Sequence, residues 1–161
     1  MGQQKVFWQS LARAGPQIMA ELDLTRASKA ALIAWTLGVA SFVAGYLVPS
    51  SDPDLVANTV LFCAVPLVAT VGARFYYQHA AAKGVVLGIF MFAVAGSLDA
   101  IITVPLLIMR AGGSYQSFYG DPGFWVIGVE YLAAVALYSY CAKPSYKAIP
   151  NETRAPAAEA K

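Results

Sequence analysis

Two acidic residues, Asp99 and Glu130, lie inside long apolar stretches of the sequence. A charged side chain at the centre of a membrane-spanning helix costs about 2.5–3.5 kcal/mol on insertion scales, so each carboxyl needs a partner or a role. At the helical rise, Asp99 would lie about 16 Å from Arg110, and Glu130 would lie about 9 Å inside Phe124. Both carboxyls would then be in the outer half or near the midplane, close enough to interact if their helices are neighbours.

Other polar residues are expected to reach the same depth and to complete a candidate binding site. The predicted members are Asp99, Glu130, Asn58, Thr59, Thr103, Arg110 and Tyr131. In one interpretation, desolvation and like charge favour the protonated form of one carboxyl, which produces a proton or cation site. In the other, the carboxyls are protonated or pair with Arg110 and hydroxyls, and they hold the helices together.

The residues that most often build metal or catalytic sites are sparse. Cys63 and Cys141 form no CxxC pair, and His79 is the only histidine. The sequence contains no recognisable metal-ligand cluster, Ser/His pair or redox cysteine pair. We therefore expect no metal and no cofactor, and an enzyme is the function class with the least support.

The elements that hold the two carboxyls are four apolar segments, at 30–48, 55–73, 84–109 and 124–142. Hydrophobic residues make up 58% of the chain and charged residues 12%, against about 45–50% and about 25% in soluble domains. Each segment approaches or exceeds the roughly 20 residues that cross a bilayer as a helix. The segments are continuously apolar rather than alternating, which favours helices over strands. The sequence predicts an all-α, four-helix transmembrane bundle over residues 30–142.

The two flanking segments have a different composition. In residues 1–29, Phe7, Leu11, Ile18 and Leu22 recur at near-helical spacing, which predicts an amphipathic helix at the membrane interface. Thr25 is placed to cap the first span. Residues 143–161 are rich in Pro, Ala and charge, which predicts a disordered tail.

The basic residues are distributed unequally between the two sides of the predicted membrane. Ten of the 11 Lys and Arg lie before the first span, between the second and third, or after the fourth, and only Arg110 lies on the other side. The positive-inside rule therefore puts both termini in the cytoplasm. The net charge is only +2 and no basic face is formed, so nucleic acid is not an expected partner.

Prolines, small residues and aromatic residues modify this plan. Pro66 and Pro105 fall inside spans, where each frees a carbonyl and allows a bend. Residues 110–123 combine glycines with aromatic residues, and they act either as interfacial anchors or as a lid over a ligand. Gly38, Ser41 and Gly45 allow close helix contact within the chain, in a homo-oligomer or with another membrane protein.

One segment supports a family resemblance. Residues Gly96-Ser97-Leu98-Asp99-Ala100-Ile101-Ile102-Thr103-Val104-Pro105-Leu106, followed by the aromatic loop and Phe124-Trp125, resemble small four-span bacterial inner-membrane proteins of unknown function. The resemblance covers the last two spans. It implies a bacterial cytoplasmic membrane and supplies no activity.

The sequence is compatible with two functions. The first is an accessory or structural membrane protein whose carboxyls are internal ties. The second is a small transporter or channel-like protein that uses Asp99 and Glu130 to exchange a cation or a proton. The surroundings of the two carboxyls distinguish these functions, because exchange requires access for a ligand and a tie does not.

Overall fold

The computed structural model describes residues 22–142, which fold into helices and connecting loops. The helices are, in order, α1 (Leu24–Tyr46), α2 (Pro53–Tyr77), α3 (Gly84–Leu98), a π-helical segment (Asp99–Ile108), α4 (Tyr115–Tyr119) and α5 (Pro122–Cys141). The π segment continues α3, so four stretches are long and apolar enough to cross a membrane. The predicted all-α class and four-span bundle are confirmed. The predicted interfacial helix and disordered tail lie outside the described residues.

Aspartate residues cap three of the four spans. The side chain of Asp23 accepts a hydrogen bond from the Arg26 amide, and the predicted cap at Thr25 is therefore corrected. Asp52 and Asp121 cap α2 and α5, and a proline follows each of them in the first turn. An aspartate side chain satisfies an amide that has no partner in the first turn, and proline has no amide to satisfy. With this cap, α1 begins at Leu24, earlier than the predicted boundary at residue 30.

The four spans form a ring in which sequence neighbours are not always spatial neighbours. α1 packs against α2 and α3, and α5 also packs against α2 and α3. The consecutive helices α2 and α3 therefore lie across the diagonal of the ring. Helix axes about 10 Å apart give a diagonal of about 14 Å, and the loop at residues 78–83 can extend to about 20 Å. The third and fourth spans are neighbours, which is the condition set above for an interaction between the two carboxyls.

Small residues allow the helices to approach closely. A Cβ atom on Gly45 of α1 would lie 2.7 Å from the Cα atom of Ala57 in α2. A Cβ atom on Gly72 would lie 2.8 Å from the carbonyl oxygen of Ala30. The buried positions of α1 are all small residues, namely Ala27, Ala30, Ala31, Ala34 and Gly45. Lipid is as apolar as these side chains, so close packing rather than hydrophobic transfer is the main source of this association.

Pro105 lies in the π segment, whose geometry determines which carbonyl is left free. A π-helix joins each amide to the carbonyl five residues earlier, and proline has no amide hydrogen. The carbonyl of Ala100 therefore has no main-chain donor, and the Tyr115 hydroxyl donates to it at 2.9 Å. The short helix α4 thus supplies the hydrogen bond that Pro105 removes.

Candidate functional site

Asp99 lies at the start of the π segment and joins two spans. Its Oδ1 atom accepts a hydrogen bond from the indole Nε1 of Trp35 in α1, at 2.8 Å. The same atom accepts a hydrogen bond from the Thr103 hydroxyl at 2.6 Å. The carboxyl is half-buried, and Thr103 is buried. We call these three residues the Asp99 junction.

Trp35 is the member of the Asp99 junction that the sequence analysis missed. An indole N–H within the hydrocarbon region needs an acceptor, because water is not there to provide one. Trp35 is at the middle of α1, which runs from Leu24 to Tyr46, so it is about 16 Å from either end of the helix at the helical rise. That position is a signal in the sequence, since a tryptophan that only anchors a helix is expected near one of its ends.

Glu130 has different surroundings. It is half-buried on α5 and lines a surface groove together with Phe62, Trp125, Val126 and Val129. Its Oε2 atom is shielded but has no hydrogen-bond partner among the described residues. We call this surface the Glu130 groove.

The contacts between α3 and α5 show how far apart the two carboxyls are. Gly128 lies against the ring of Phe92, and Gly88 lies against Leu132. Glu130 is therefore level with the residues between Gly88 and Phe92. At the helical rise, Asp99 lies roughly 13 Å further along the third span. No hydrogen bond or direct sharing of a proton is available over that distance.

The predicted single cluster of carboxyls is corrected for this reason. The expected depths of Asp99 and Glu130 assume that the fourth span begins level with Arg110. In the structure, a Cβ atom on Gly96 would be 3.9 Å from the ring of Phe124, so α5 begins level with the middle of the third span. Glu130 is therefore further than Asp99 from the Arg110 end of the bundle.

The other predicted site residues are dispersed. Asn58, Thr59 and Arg110 are exposed, and the Thr59 hydroxyl donates to the Leu55 carbonyl of its own helix. Within residues 22–142 the one salt bridge joins Arg26 to Asp23, so Arg110 pairs with neither carboxyl. Tyr131 is buried, and its hydroxyl has no partner among the described residues. The structure therefore joins only Asp99 and Thr103 by a hydrogen bond, and a binding role for the seven residues stays a prediction.

Two tyrosines of α4 bond to the C-terminal half of the third span. Tyr115 donates to the Ala100 carbonyl, and the Tyr119 hydroxyl donates to the Gly96 carbonyl at 2.7 Å. Burial raises the pKa of the Tyr119 hydroxyl, and the charge of Asp99 acts in the same direction. Tyr119 therefore remains a neutral donor at neutral pH. Interfacial anchoring alone does not explain these two side chains.

The described residues offer few groups for other chemistry. Cys63 and Cys141 are free thiols exposed on the surface of the bundle. Nowhere in residues 22–142 do three or more His, Cys, Asp or Glu side chains come together in a way that could hold a metal ion. Inside the spans, the Asp99 carboxyl accepts two hydrogen bonds, and the Oε2 atom of Glu130 has no partner among the described residues.

The fold and these sites define a multi-pass α-helical membrane protein. In comparisons with models of protein families, with curated proteins and with solved structures, nothing matches this chain.

Proposed function

We propose that this protein is an accessory or structural component of a bacterial cytoplasmic membrane, in which the Asp99 junction holds the first and third spans together. The main observation is that one oxygen of Asp99 accepts hydrogen bonds from both Trp35 and Thr103. Both donors are neutral groups of the protein itself. A carboxyl held in this way has the surroundings of an internal tie.

The charge distribution supports the orientation within this proposal. Arg26, Lys29, Arg74 and Lys83 flank one end of the described bundle, and Arg110 is at the other end. Cytoplasmic loops carry the excess of Lys and Arg in membrane proteins. Both chain termini would then lie in the cytoplasm. The bacterial membrane is inferred from the resemblance of the last two spans to small bacterial inner-membrane proteins.

Exchange of a proton or cation between Asp99 and Glu130 has less support. Such a mechanism needs both carboxyls on one path, and they lie roughly 13 Å apart along the bundle at the helical rise. Asp99 is also occupied by two donors. A transporter or channel-like function that uses both residues is therefore our second candidate.

Substitution of Asp99 separates the role of its shape from that of its charge. Asp99→Asn keeps an oxygen that accepts from Trp35 and Thr103, whereas Asp99→Leu leaves both donors without an acceptor. An interhelical hydrogen bond in a membrane is worth about 0.6–1.7 kcal/mol. We expect Asp99→Leu to lower the thermal midpoint of the purified protein by roughly 3–8 °C. Asp99→Asn should stay within about 2 °C of the unsubstituted protein, because its hydrogen bonds remain.

A matched pair of threonines provides the control for this experiment. Thr103→Val removes a donor to Asp99, whereas Thr36→Val removes a hydroxyl that bonds only to the Leu32 carbonyl of its own helix. Only Thr103→Val should lower the midpoint. Equal stability of Asp99→Leu and the unsubstituted protein would contradict the proposal. A loss in Asp99→Asn as large as that in Asp99→Leu would also contradict it, because charge would then be the property that matters.

A further inference from the structure

Three basic residues lie at nearly the same depth where the start of α1 meets the end of α2. A Cβ atom on Gly72 would lie 2.8 Å from the Ala30 carbonyl, so these two residues are level with each other. From that level, Lys29 is one residue, Arg74 two residues and Arg26 four residues toward the same end of the bundle. At the helical rise, their Cα atoms therefore lie within about 4.5 Å of one another in depth. We call Arg26, Lys29 and Arg74 the basic cluster.

The side chain of Arg26 is held between the two helices. Its guanidinium carbon lies 5.9 Å from the centre of the Phe75 ring in α2, and its Nε atom is 3.6 Å from a carboxylate oxygen of Asp23. Among the described residues, no group accepts a hydrogen bond from its two terminal nitrogens. A guanidinium that is fixed in this way can present both of those nitrogens to two oxygens of one phosphate.

The charge of the basic cluster is not balanced within the described part of the chain. Lys29 and Arg74 are exposed and form no salt bridge with any described residue. At this end of the bundle, Asp23 is the one acidic residue that the structure describes, because the acidic residues of the other described loops lie at the opposite end. Three cations and one carboxylate leave an excess of positive charge, which is complementary to an anion.

The position of the basic cluster favours a lipid headgroup as that anion. The cluster lies within two turns of the ends of two membrane-crossing helices, where long basic side chains reach the headgroups. On α1, the exposed Leu32 follows Lys29 by three residues. On α2, the exposed Val71 and Leu67 precede Arg74 by three and seven residues. Residues at these spacings share one face of a helix, so apolar surface for acyl chains continues from the cations toward the middle of the membrane.

We propose that the basic cluster is a binding site for an anionic phospholipid, whose phosphate interacts with Arg26, Lys29 and Arg74 and whose acyl chains lie along α1 and α2. Basic groups between membrane helices are a common means of holding such headgroups. The site shares no residue with the Asp99 junction. Lipid binding at the basic cluster and stability at Asp99 can therefore be tested independently, and failure of one proposal leaves the other intact.

Two phospholipids with the same acyl chains and different headgroups provide the test. Dioleoylphosphatidylglycerol carries a net negative charge, whereas dioleoylphosphatidylcholine is zwitterionic. Each lipid is titrated into the full chain purified in an uncharged detergent, and native mass spectrometry measures the fraction of protein with one lipid bound. We expect the first molecule of phosphatidylglycerol to bind roughly tenfold or more tightly than the first molecule of phosphatidylcholine.

Matched substitutions assign this preference to the basic cluster. Lys29→Gln and Arg74→Gln each remove one exposed cation, and each should weaken the binding of phosphatidylglycerol by about fivefold without changing that of phosphatidylcholine. Arg26→Gln should weaken it at least as much, because it also removes the paired donors. Lys83→Gln is the control, since Lys83 precedes α3 at the same end of the bundle and α3 lies across the diagonal from α2. This substitution removes an equal charge outside the basic cluster and should leave both affinities unchanged.

Several results would overturn the proposal. Equal affinity for the two lipids would show that the charge of the headgroup is not recognised. A loss in Lys83→Gln as large as that in Lys29→Gln would mean that the overall charge of this end attracts anionic lipid without a specific site. Displacement of phosphatidylglycerol by an equal concentration of inorganic phosphate would make free phosphate the ligand instead of a lipid. If Arg26→Gln does not fold, unchanged binding in both Lys29→Gln and Arg74→Gln is sufficient to reject the site.

Discussion

At the scale of single residues, the polar side chains inside the spans differ in the partners that they contact. Asp99 has two donors from the protein, whereas Glu130 has none among the described residues. Tyr115 and Tyr119 show a third case, in which hydroxyls bond to main-chain carbonyls of the third span. An unsatisfied carbonyl is costly in hydrocarbon, so the Tyr115 hydroxyl is expected to contribute to stability. The Gly96 carbonyl also accepts from the Asp99 amide, so Tyr119 adds a second hydrogen bond there.

The hydrogen bond from Tyr115 to Ala100 leads to a prediction about Pro105. Tyr115→Phe leaves the Ala100 carbonyl without a donor and should lower the free energy of unfolding by about 1–2 kcal/mol. In a Pro105→Ala background the new amide at residue 105 can bond to that carbonyl, so Tyr115→Phe should then have a much smaller effect. A double-mutant cycle on thermal or denaturant unfolding measures the difference. Additive effects of the two substitutions would show that Tyr115 does not compensate for the proline.

At the scale of helices, close approach depends on individual small residues rather than on a stripe of them. Gly38 and Gly45 both lie on α1 and were both expected to allow close contact. A Cβ atom on Gly45 would collide with the backbone of Ala57, whereas one on Gly38 would come no closer than 3.9 Å, to a side-chain atom of Leu61. Gly45 therefore makes its close contact inside the chain, against α2.

This difference predicts opposite outcomes for two identical substitutions in one helix. Gly45→Ala must push α1 and α2 apart, because the obstructing atoms belong to the backbone, and overpacking of this kind costs about 1–3 kcal/mol. Gly38→Ala should be neutral or slightly stabilising, since alanine has the higher helix propensity by up to about 1 kcal/mol. Thermal unfolding of the two purified variants provides the comparison. Equal midpoints for Gly38→Ala and Gly45→Ala would be inconsistent with the close approach of α1 and α2.

At the scale of the whole molecule, the ring arrangement determines which surfaces meet lipid. α2 and α5 are neighbours although they are far apart in sequence, and the Glu130 groove lies between them. α1 and α3 are also neighbours, which brings Trp35 to Asp99. The Asp99 junction and the Glu130 groove thus belong to two different helix pairs of one bundle.

The orientation of the bundle can be tested by labelling two loops. In a background in which Cys63 and Cys141 are replaced by Ala, one new cysteine is placed at Ser51 and, separately, another at Ala81. Both positions are exposed, and they lie at opposite ends of the bundle. Under the positive-inside rule, a membrane-impermeant thiol reagent added to intact cells should label the first and not the second. Labelling of Ala81→Cys alone would reverse the topology, and labelling of both would refute the four-span plan.

The four spans follow from the amino-acid sequence alone, because the main chain must satisfy its hydrogen bonds locally in lipid and long apolar segments therefore become helices. Asp99, Glu130 and Thr103 could also be selected from the sequence, since polar residues in such segments are rare. Helix ends were predicted to within a few residues, and the largest error was at α1, where Asp23 rather than Thr25 is the cap.

Which polar groups come into contact depends on the packing of the helices against one another. Trp35 and Asp99 are 64 residues apart in sequence, and no local pattern links them. The depth of Glu130 depends on where α5 begins relative to α3, and this depends on how the glycines of one helix pack against the other. Such contacts arise from the three-dimensional fit between helices, whereas periodicity and composition describe one helix at a time. The separation of the two carboxyls was therefore not predictable from their spacing in the chain.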